Sequence, residues 1–440
     1  MASFSIPLTG LESDSTALNT IANDIANMNT TAFKSQTTNF ADLFYQQVGS
    51  TGSGDLIQVG AGTKVASNET NFTAGTPNST GVASDVALQG NGFFVVQSGS
   101  MQYLTRAGNF QTDSNGNLIT TNGYSVMGYP VTNGVVNTSA PLTAINIPIG
   151  QVQAPQATST MSMTANLDSA SATGTQFPAQ ITVYDSLGQA HIGTVTYTKT
   201  GTNTWGYSVS LPAADYSTTG GNTVPAAITG TMTFNSNGTL ATVAQGAGAA
   251  QTVGTAAGDI SSIPLNLTPS TVGPPATTSA LADGASGMTI NWNLLSSSGT
   301  PNIGQVDASS ALSATSQNGF TVGQYQSYAI GSDGTVSVTY SNGQTQDVGQ
   351  LALANVANLQ GLNLLGNSDY STTQASGSAS IGVSGTGGLG AMEGGSLEAS
   401  NVNLSTELSN LIVAQQSYDA NAKSVTTFDT ITQDTINMVH

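Results

Sequence analysis

The sequence predicts a mainly β protein with terminal α-helices, in which discontinuous, nested β domains are joined to a helical coiled-coil domain made by the N- and C-terminal segments together. Three observations predict it. Apolar residues recur at helical spacing at both ends of the chain. Between the ends the pattern changes to period 2, punctuated by Asn-Gly or Asp-Gly at 91–92, 115–116, 122–123, 237–238, 333–334 and 342–343, the dipeptides of tight hairpins. Stretches rich in Gly, Pro, Ser and Thr divide this middle into blocks.

The first element spans residues 9–30. Leu11, Leu18, Ile21, Ile25 and Met28 fall on a 7/3/4/3 spacing, an a/d seam broken at Asp14, with Thr9 or Ser13 as the cap. About three heptads are marginal as a free helix in water. The last element repeats the pattern. Leu404, Leu408, Leu411, Tyr418, Ala422, Val425, Ile436 and Val439 lie on one heptad frame, interrupted by Gln415, Asp429 and Thr432. Asn403 or Ser405 is the expected cap, Glu407 and Glu398 lie near the positive end, and the predicted helix runs over 404–438. Spacing alone leaves open whether the two ends close a bundle within one molecule or join many molecules.

In the middle, Phe93–Val96 and Ile181–Tyr184 read as strands. Residues 148–157 read as a linker, 241–287 as low-complexity surface loops, and 371–396 as a Gly/Ser-rich lead into the last helix. The expected domains are 1–30 with 398–440 (helical), 31–72 with 385–397 (linking), 73–148 with 318–384 (first β domain) and 149–317 (inserted outer β domain). Such nesting brings both chain ends together.

Composition excludes several functions. Charged residues are 6% of the chain, about a quarter of the usual share, and the net charge is −18. The five basic residues, Lys34, Lys64, Arg106, Lys199 and Lys423, are scattered, so neither nucleic acid nor an anionic membrane is an expected partner. No cysteine is present. No apolar run is long enough to insert in a membrane, and the N-terminus lacks the pattern of a secretory signal, which points to a cytoplasmic protein or to export without a cleaved signal.

No catalytic, cofactor-binding or metal site is expected. The histidines are His191 and His440, without visible triad or zinc partners, and His191 reads as structural. Asp113-Ser-Asn115-Gly-Asn117 begins like a calcium loop, but the twelfth position is Tyr124 where a Glu is needed, so a hairpin turn is expected. The clusters at Gly90–Gly92 and Gly387–Gly390 lack a phosphate-binding Lys. Asp185 and Asp283 would serve as a glycosidase pair only if something brought them together, and nothing in the sequence does.

Two long signatures carry a resemblance to a family. Residues 23–34 read Asn23-Asp-Ile25-Ala26-Asn27-Met-Asn29-Thr30-Thr-Ala-Phe33-Lys34. Residues 393–423 include Leu-Glu-Ala-Ser400-Asn401-Val402, then Gln415, Tyr418 and Asn421-Ala422-Lys423. Both resemble the terminal signatures of the flagellar rod, hook and hook-associated proteins. Residues 181–207, with Tyr-Asp-Ser-Leu-Gly-Gln-Ala-His, are similar to the inserted domain of the hook branch, which the shorter rod members lack. The resemblance fades over 208–315.

The resemblance implies a non-enzymatic subunit of a curved, hollow polymer that transmits torque from rod to filament as a universal joint. Its terminal helices would pair as a coiled coil around the central channel. The implied partners are further copies of the chain, rod and hook–filament junction proteins, the hook cap and the type III export apparatus. The implied location is extracellular, in the flagellum. Phe40–Phe44, including Phe40 and Phe44, would lie in a segment carrying export information, or would be an ordinary turn. A distal rod protein and a β-rich surface adhesin are the alternatives.

Overall fold

The computed structural model describes residues 5–50, 52, 56–217, 222–267, 270–271 and 281–438. Val439 and His440 lie outside the described residues, as does part of the 241–287 stretch. The chain forms two compact units. One comprises Met1–Ile149, Gln326–Thr339 and Thr345–His440; the other comprises Gly150–Tyr325 and Tyr340–Gln344.

In the first unit, helix α1 is Ser5–Ala26 and helix α2 is Leu404–Met438. Helix α1 therefore starts and ends about four residues earlier than its seam suggests. Pro7 sits in the first turn, where a missing N–H costs nothing. The expected caps Thr9 and Ser13 are inside the helix, and Met28 lies in the turns beyond it. Asn27 ends the helix by donating its side-chain amide to the Asn23 carbonyl at 2.9 Å. In α2 the cap is Asn403, whose Oδ1 accepts from the N–H groups of Ser405 (3.1 Å) and Thr406 (3.3 Å).

After α1 come β1 (Gln36–Asp42), β2 (Gln46–Ser50), β3 (Leu56–Val59) and β4 (Thr63–Thr70). β1 pairs antiparallel with β4, and β2 pairs with β3 as a hairpin whose described residues are exposed. The β region that follows interleaves strands from both halves of the chain. Phe93–Ser98 pairs with Met101–Thr105 and with the returning Leu353–Asn355. Ser125–Thr132 pairs with Thr345–Leu351, and Val86–Gln89 with Ala391–Gly394. Its core includes Phe93, Val95, Leu104, Tyr129 and Tyr370, with Phe72 and Tyr370 against the Phe93 ring at 5.9 and 5.2 Å between centroids. The expected turn glycines have positive φ, 82° at Gly116 and 77° at Gly343, which other residues adopt only with strain.

The second unit has a six-stranded antiparallel sheet that begins Gln176–Tyr184, Ala190–Gly201, Thr204–Ser210, Ile228–Phe234, and a five-stranded sheet around Thr160–Asp168. Burial alternates strictly along residues 190–199 and Thr204–Ser210, as period-2 patterning requires. Trp205, Trp292, Tyr197, Met163 and Leu167 fill the core. The 241–287 stretch is more than loop. It contributes Ser262–Asn266 and most of Leu240–Gln245, with Val243, Ile263 and Leu265 buried, because small residues between the apolar ones hide a short alternating pattern.

A second departure from the sequence reading concerns polar residues. Asp185, His191 and Asp283 are brought together, across almost a hundred residues, by the turn after Gln176–Tyr184 and the loop before Thr289–Asn293.

Candidate assembly interface

Helices α1 and α2 run antiparallel. Near the start of α1, Asn421 of α2 donates to Asp14 at 2.9 Å; near its end, Asp24 lies within electrostatic reach of Glu407. The deepest face of α1 is Pro7, Gly10, Ser13, Ala17, Thr20 and Asp24, small or polar at each position. The fit is close: a Cβ added at Gly10 would stand 2.6 Å from the Asn421 amide nitrogen. Asp14, read from spacing as a break in the seam, is turned toward α2.

The apolar seam occupies the flank of this contact. Leu11, Leu18, Ile21 and Ile25 are half-buried, as are Leu411, Ala422 and Val425. Met28, Leu404, Leu408, Tyr418 and Ile436 are exposed, as is Gln415, while Asn421 is half-buried. No described residue of α2 is buried, and residues 429–438 are exposed on every side.

Beyond α1 the chain folds back sharply. Ala32 is fully buried with φ 55°, and its N–H donates to the Glu398 carbonyl at 2.8 Å. That turn delivers Lys34 to the Glu398 carboxylate at 2.6 Å, and Arg106 Nε reaches the other carboxylate oxygen at 2.9 Å. All three side chains are buried. Lys34 also donates to the Thr73 carbonyl, and Arg106 to the carbonyls of Leu88, Gly90 and Gly92. Burial pulls the Lys34 ammonium below its ordinary value, with Glu398 opposing the shift. Glu398, expected to favour the start of α2, is instead the shared anion for two of the five basic residues, because Ser400–Asn403 separate it from the helix.

Asn401 completes the junction. Its Oδ1 accepts from the Ser35 N–H at 2.8 Å, and its Nδ2 donates to the carbonyls of Asn71 (2.8 Å) and Thr73 (3.1 Å). Asp24 Oδ2 accepts from the Gln36 N–H at 2.8 Å, while Oδ1 has no hydrogen-bond partner among the described residues. Burial raises this carboxyl to about 6. Thr30 donates to Asn27 at 3.0 Å; Phe33, Ser400 and Val402 are half-buried, and Ala26 and Asn29 exposed. Phe40, in β1, is 49% exposed and Phe44, just past it, 91%.

This chain is similar to known proteins over its whole length. It is 37% identical to the flagellar hook protein FlgE of Salmonella typhimurium over 454 residues, covering 99% of this chain and 100% of that one. It is 33% identical to the flagellar hook protein FlgE of Treponema pallidum, covering 96% of each. The chain belongs to the flagellar hook protein FlgE family. It is accordingly a structural subunit of the flagellar hook. Family profiles match the FlaE D2 domain over residues 151–320, the FlgE/F/G D1 domain over 87–166, and the C-terminal region of basal body rod FlgEFG proteins over 393–438. The crystal structure of Helicobacter pylori flagellar hook protein FlgE2 shares the fold, with a TM-score of 0.51 at 14% identity over 72% of this chain and 99% of that one.

In this hook-family chain the terminal signatures knit the junction as well as the helices. Asp24, Lys34, Glu398 and Asn401 all bond across the fold-back. Nothing in the sequence around Arg106 marked it as a partner of Glu398. The signal available was scarcity: a chain with five basic residues leaves few partners for a buried Glu.

Proposed function

We propose that this hook subunit polymerises into a curved, hollow tube and transmits torque as a universal joint, with the terminal helices as the inner assembly elements and no enzymatic activity. In this reading residues 1–30 and 398–440 form the inner domain, 31–72 and 385–397 a linking segment, 73–148 and 318–384 a first β domain, and 149–317 the outermost one. One observation carries the assembly reading. Helix α2 has 35 residues, none of its described residues is buried, and eight of its large apolar side chains are exposed, from Leu404 to Met438. Such a helix draws little stability from tertiary packing of its own and gains it where neighbouring copies cover it.

The contact positions we assign are Leu11, Leu18, Ile21, Ile25, Met28, Leu404, Leu408, Leu411, Tyr418, Ala422, Val425 and Ile436. Phe40 and the almost bare Phe44 belong to the segment we assign to export through the type III apparatus. Rod, junction and cap proteins are the proposed partners at the tube ends, and the proposed location is outside the cell. The test is deletion of residues 404–440 or of 1–30, followed by electron microscopy. The expected product is a folded monomer that forms no tubes, and tubes from either truncation would refute the assignment.

A further inference from the structure

The second unit holds a cluster of chemistry-bearing side chains that a structural subunit does not need. His191, at the start of Ala190–Gly201, has both ring nitrogens engaged: Nε2 lies 3.0 Å from Asp185 Oδ2, and Nδ1 lies 3.0 Å from Asp215 Oδ2. Asp283 comes from a third segment, its carboxyl in hydrogen-bonding reach of Asp185. One candidate ligand atom from each of Asp185, His191 and Asp283 lies within 4.8 Å of the other two.

We propose that Asp185, His191 and Asp283 form a binding site for a divalent transition-metal ion, with Zn2+ the best match, and that Asp215 orients the histidine from behind. The donor chemistry supports a borderline ion. One imidazole nitrogen with two carboxylate oxygens suits Zn2+ or a neighbouring first-row ion, whereas Ca2+ takes six to eight oxygens. The 3.0 Å Nε2–Oδ2 separation would have to open by about 0.3 Å to span the edge of a tetrahedron whose bonds are about 2.0–2.1 Å. A neutral ring with its proton on Nδ1, donated to Asp215, presents the Nε2 lone pair to the ion, the arrangement by which an outer carboxylate fixes a metal-bound imidazole.

The carboxylates are prepared in the same way. Asp185 Oδ1 is tied to the N–H groups of Leu187 and Gln189 at 2.8 and 2.9 Å, which frees Oδ2 for the shared point. Asp283 Oδ1 accepts from the Ala285 N–H at 3.0 Å, leaving its other oxygen. The supporting segments are tied to one another, Ala282 N–H to the Asp215 carbonyl at 2.9 Å and Ser286 N–H to Ser186 Oγ at 3.3 Å.

Charge points the same way. Three carboxylates surround one imidazole, and among the described residues no Lys or Arg forms an ion pair with any of them. Two carboxyls in contact require a proton or a cation between them. Asp283 is exposed, which gives the ion a way in.

The test uses the full chain, stripped with EDTA and titrated with Zn2+ near pH 7.5, read by calorimetry and by elemental analysis after dialysis. One ion per chain and a raised melting temperature are expected. Asp283→Asn, at an exposed position, and His191→Gln should each abolish stoichiometric uptake, with circular dichroism verifying the fold. Asp215→Asn should weaken binding by about 10–100-fold. His440→Ala should bind like the parent. Substoichiometric uptake by the parent, uptake unchanged in Asp283→Asn and His191→Gln, or preference for Ca2+ over Zn2+ would each overturn the site.

Discussion

The inserted β unit and the terminal helical pair draw on one sparsely charged composition and bury it in opposite ways. In the β unit the large side chains go inside: Trp205, Trp292 and Tyr197 are fully buried, and Gln305 satisfies both the Trp205 indole N–H (2.7 Å) and Lys199 (3.2 Å). In the helical pair the small ones go inside, Gly10, Ser13 and Ala17, and the leucines and isoleucines stay at the flank or in the open. A unit that buries its own bulk is complete as a monomer. A helix that keeps its bulk outside has its stabilisation still to come from whatever covers it.

The sharpest way to test that contrast is to empty the finished core. Trp292 is wedged between Tyr207 and Tyr197, at 5.6 and 6.3 Å between centroids. Trp292→Ala removes the ring and leaves a cavity, so the β unit should lose about 3–5 kcal/mol. Denaturant unfolding followed by fluorescence of the remaining Trp205 reads that unit directly. A loss under about 1 kcal/mol would mean that the core is looser than its burial implies.

The next perturbation acts on the first unit. Glu398→Gln leaves Lys34 and Arg106 buried without their shared anion, and stranding buried charges costs about 3–5 kcal/mol. Arg106 keeps its carbonyl acceptors, so the lower end of that range is expected. Circular dichroism should register the loss in helix and first β region, while the Trp205 and Trp292 transition stays where it was. A shift of that transition instead would break the independence assumed for the two units.

How far this was legible in the sequence differs between the same two regions. Period 2 gave the β unit's alternation correctly, since a residue on a strand has one inward and one outward choice. Period 3.6 gave two helices but not which face of α1 meets α2. The Leu11–Met28 seam dominates the hydropathy pattern, yet the close approach to α2 is made at Gly10, whose missing side chain carries no apolar signal. Within the proposed interface, signature residues such as Asn401 were visible as motif, but Glu398–Arg106 was not, because a pairing across almost three hundred residues leaves no local trace. Asp185 and His191 are close in sequence, but the convergence of Asp283 and Asp215 on them was missed for the same reason.

Asp24 offers a smaller, pH-dependent test at the foot of the helical pair. Burial raises its carboxyl to about 6, against 3.8 for the ordinary group. The folded chain then holds the proton more tightly than the unfolded chain does. The resulting stabilisation is complete below about pH 4 and is lost as pH rises through about 6. Asp24→Asn should remove that slope from the first unit, making it more stable than the parent at pH 7.5 by about 1–2 kcal/mol. His191 slopes in the same direction but in the other unit, so the comparison is made by helical circular dichroism and not by tryptophan fluorescence. Equal pH profiles for parent and variant would show that Asp24 is solvated.

The smallest effect on the folded chain should accompany a large effect on assembly. Leu408 and Ile436 are 44% and 56% exposed, so Leu408→Ala with Ile436→Ala should change monomer stability by no more than about 0.5 kcal/mol. If neighbouring copies cover both side chains, each contributes roughly 1.5–3 kcal/mol to polymer growth. Even partial covering would then raise the critical concentration for tube formation at least ten-fold, at about 1.4 kcal/mol per decade. Sedimentation of polymer from soluble subunit measures it. An unchanged critical concentration would place these two side chains in the channel or in solvent, and would move the contact to the half-buried flank of Leu11, Leu18, Leu411 and Val425.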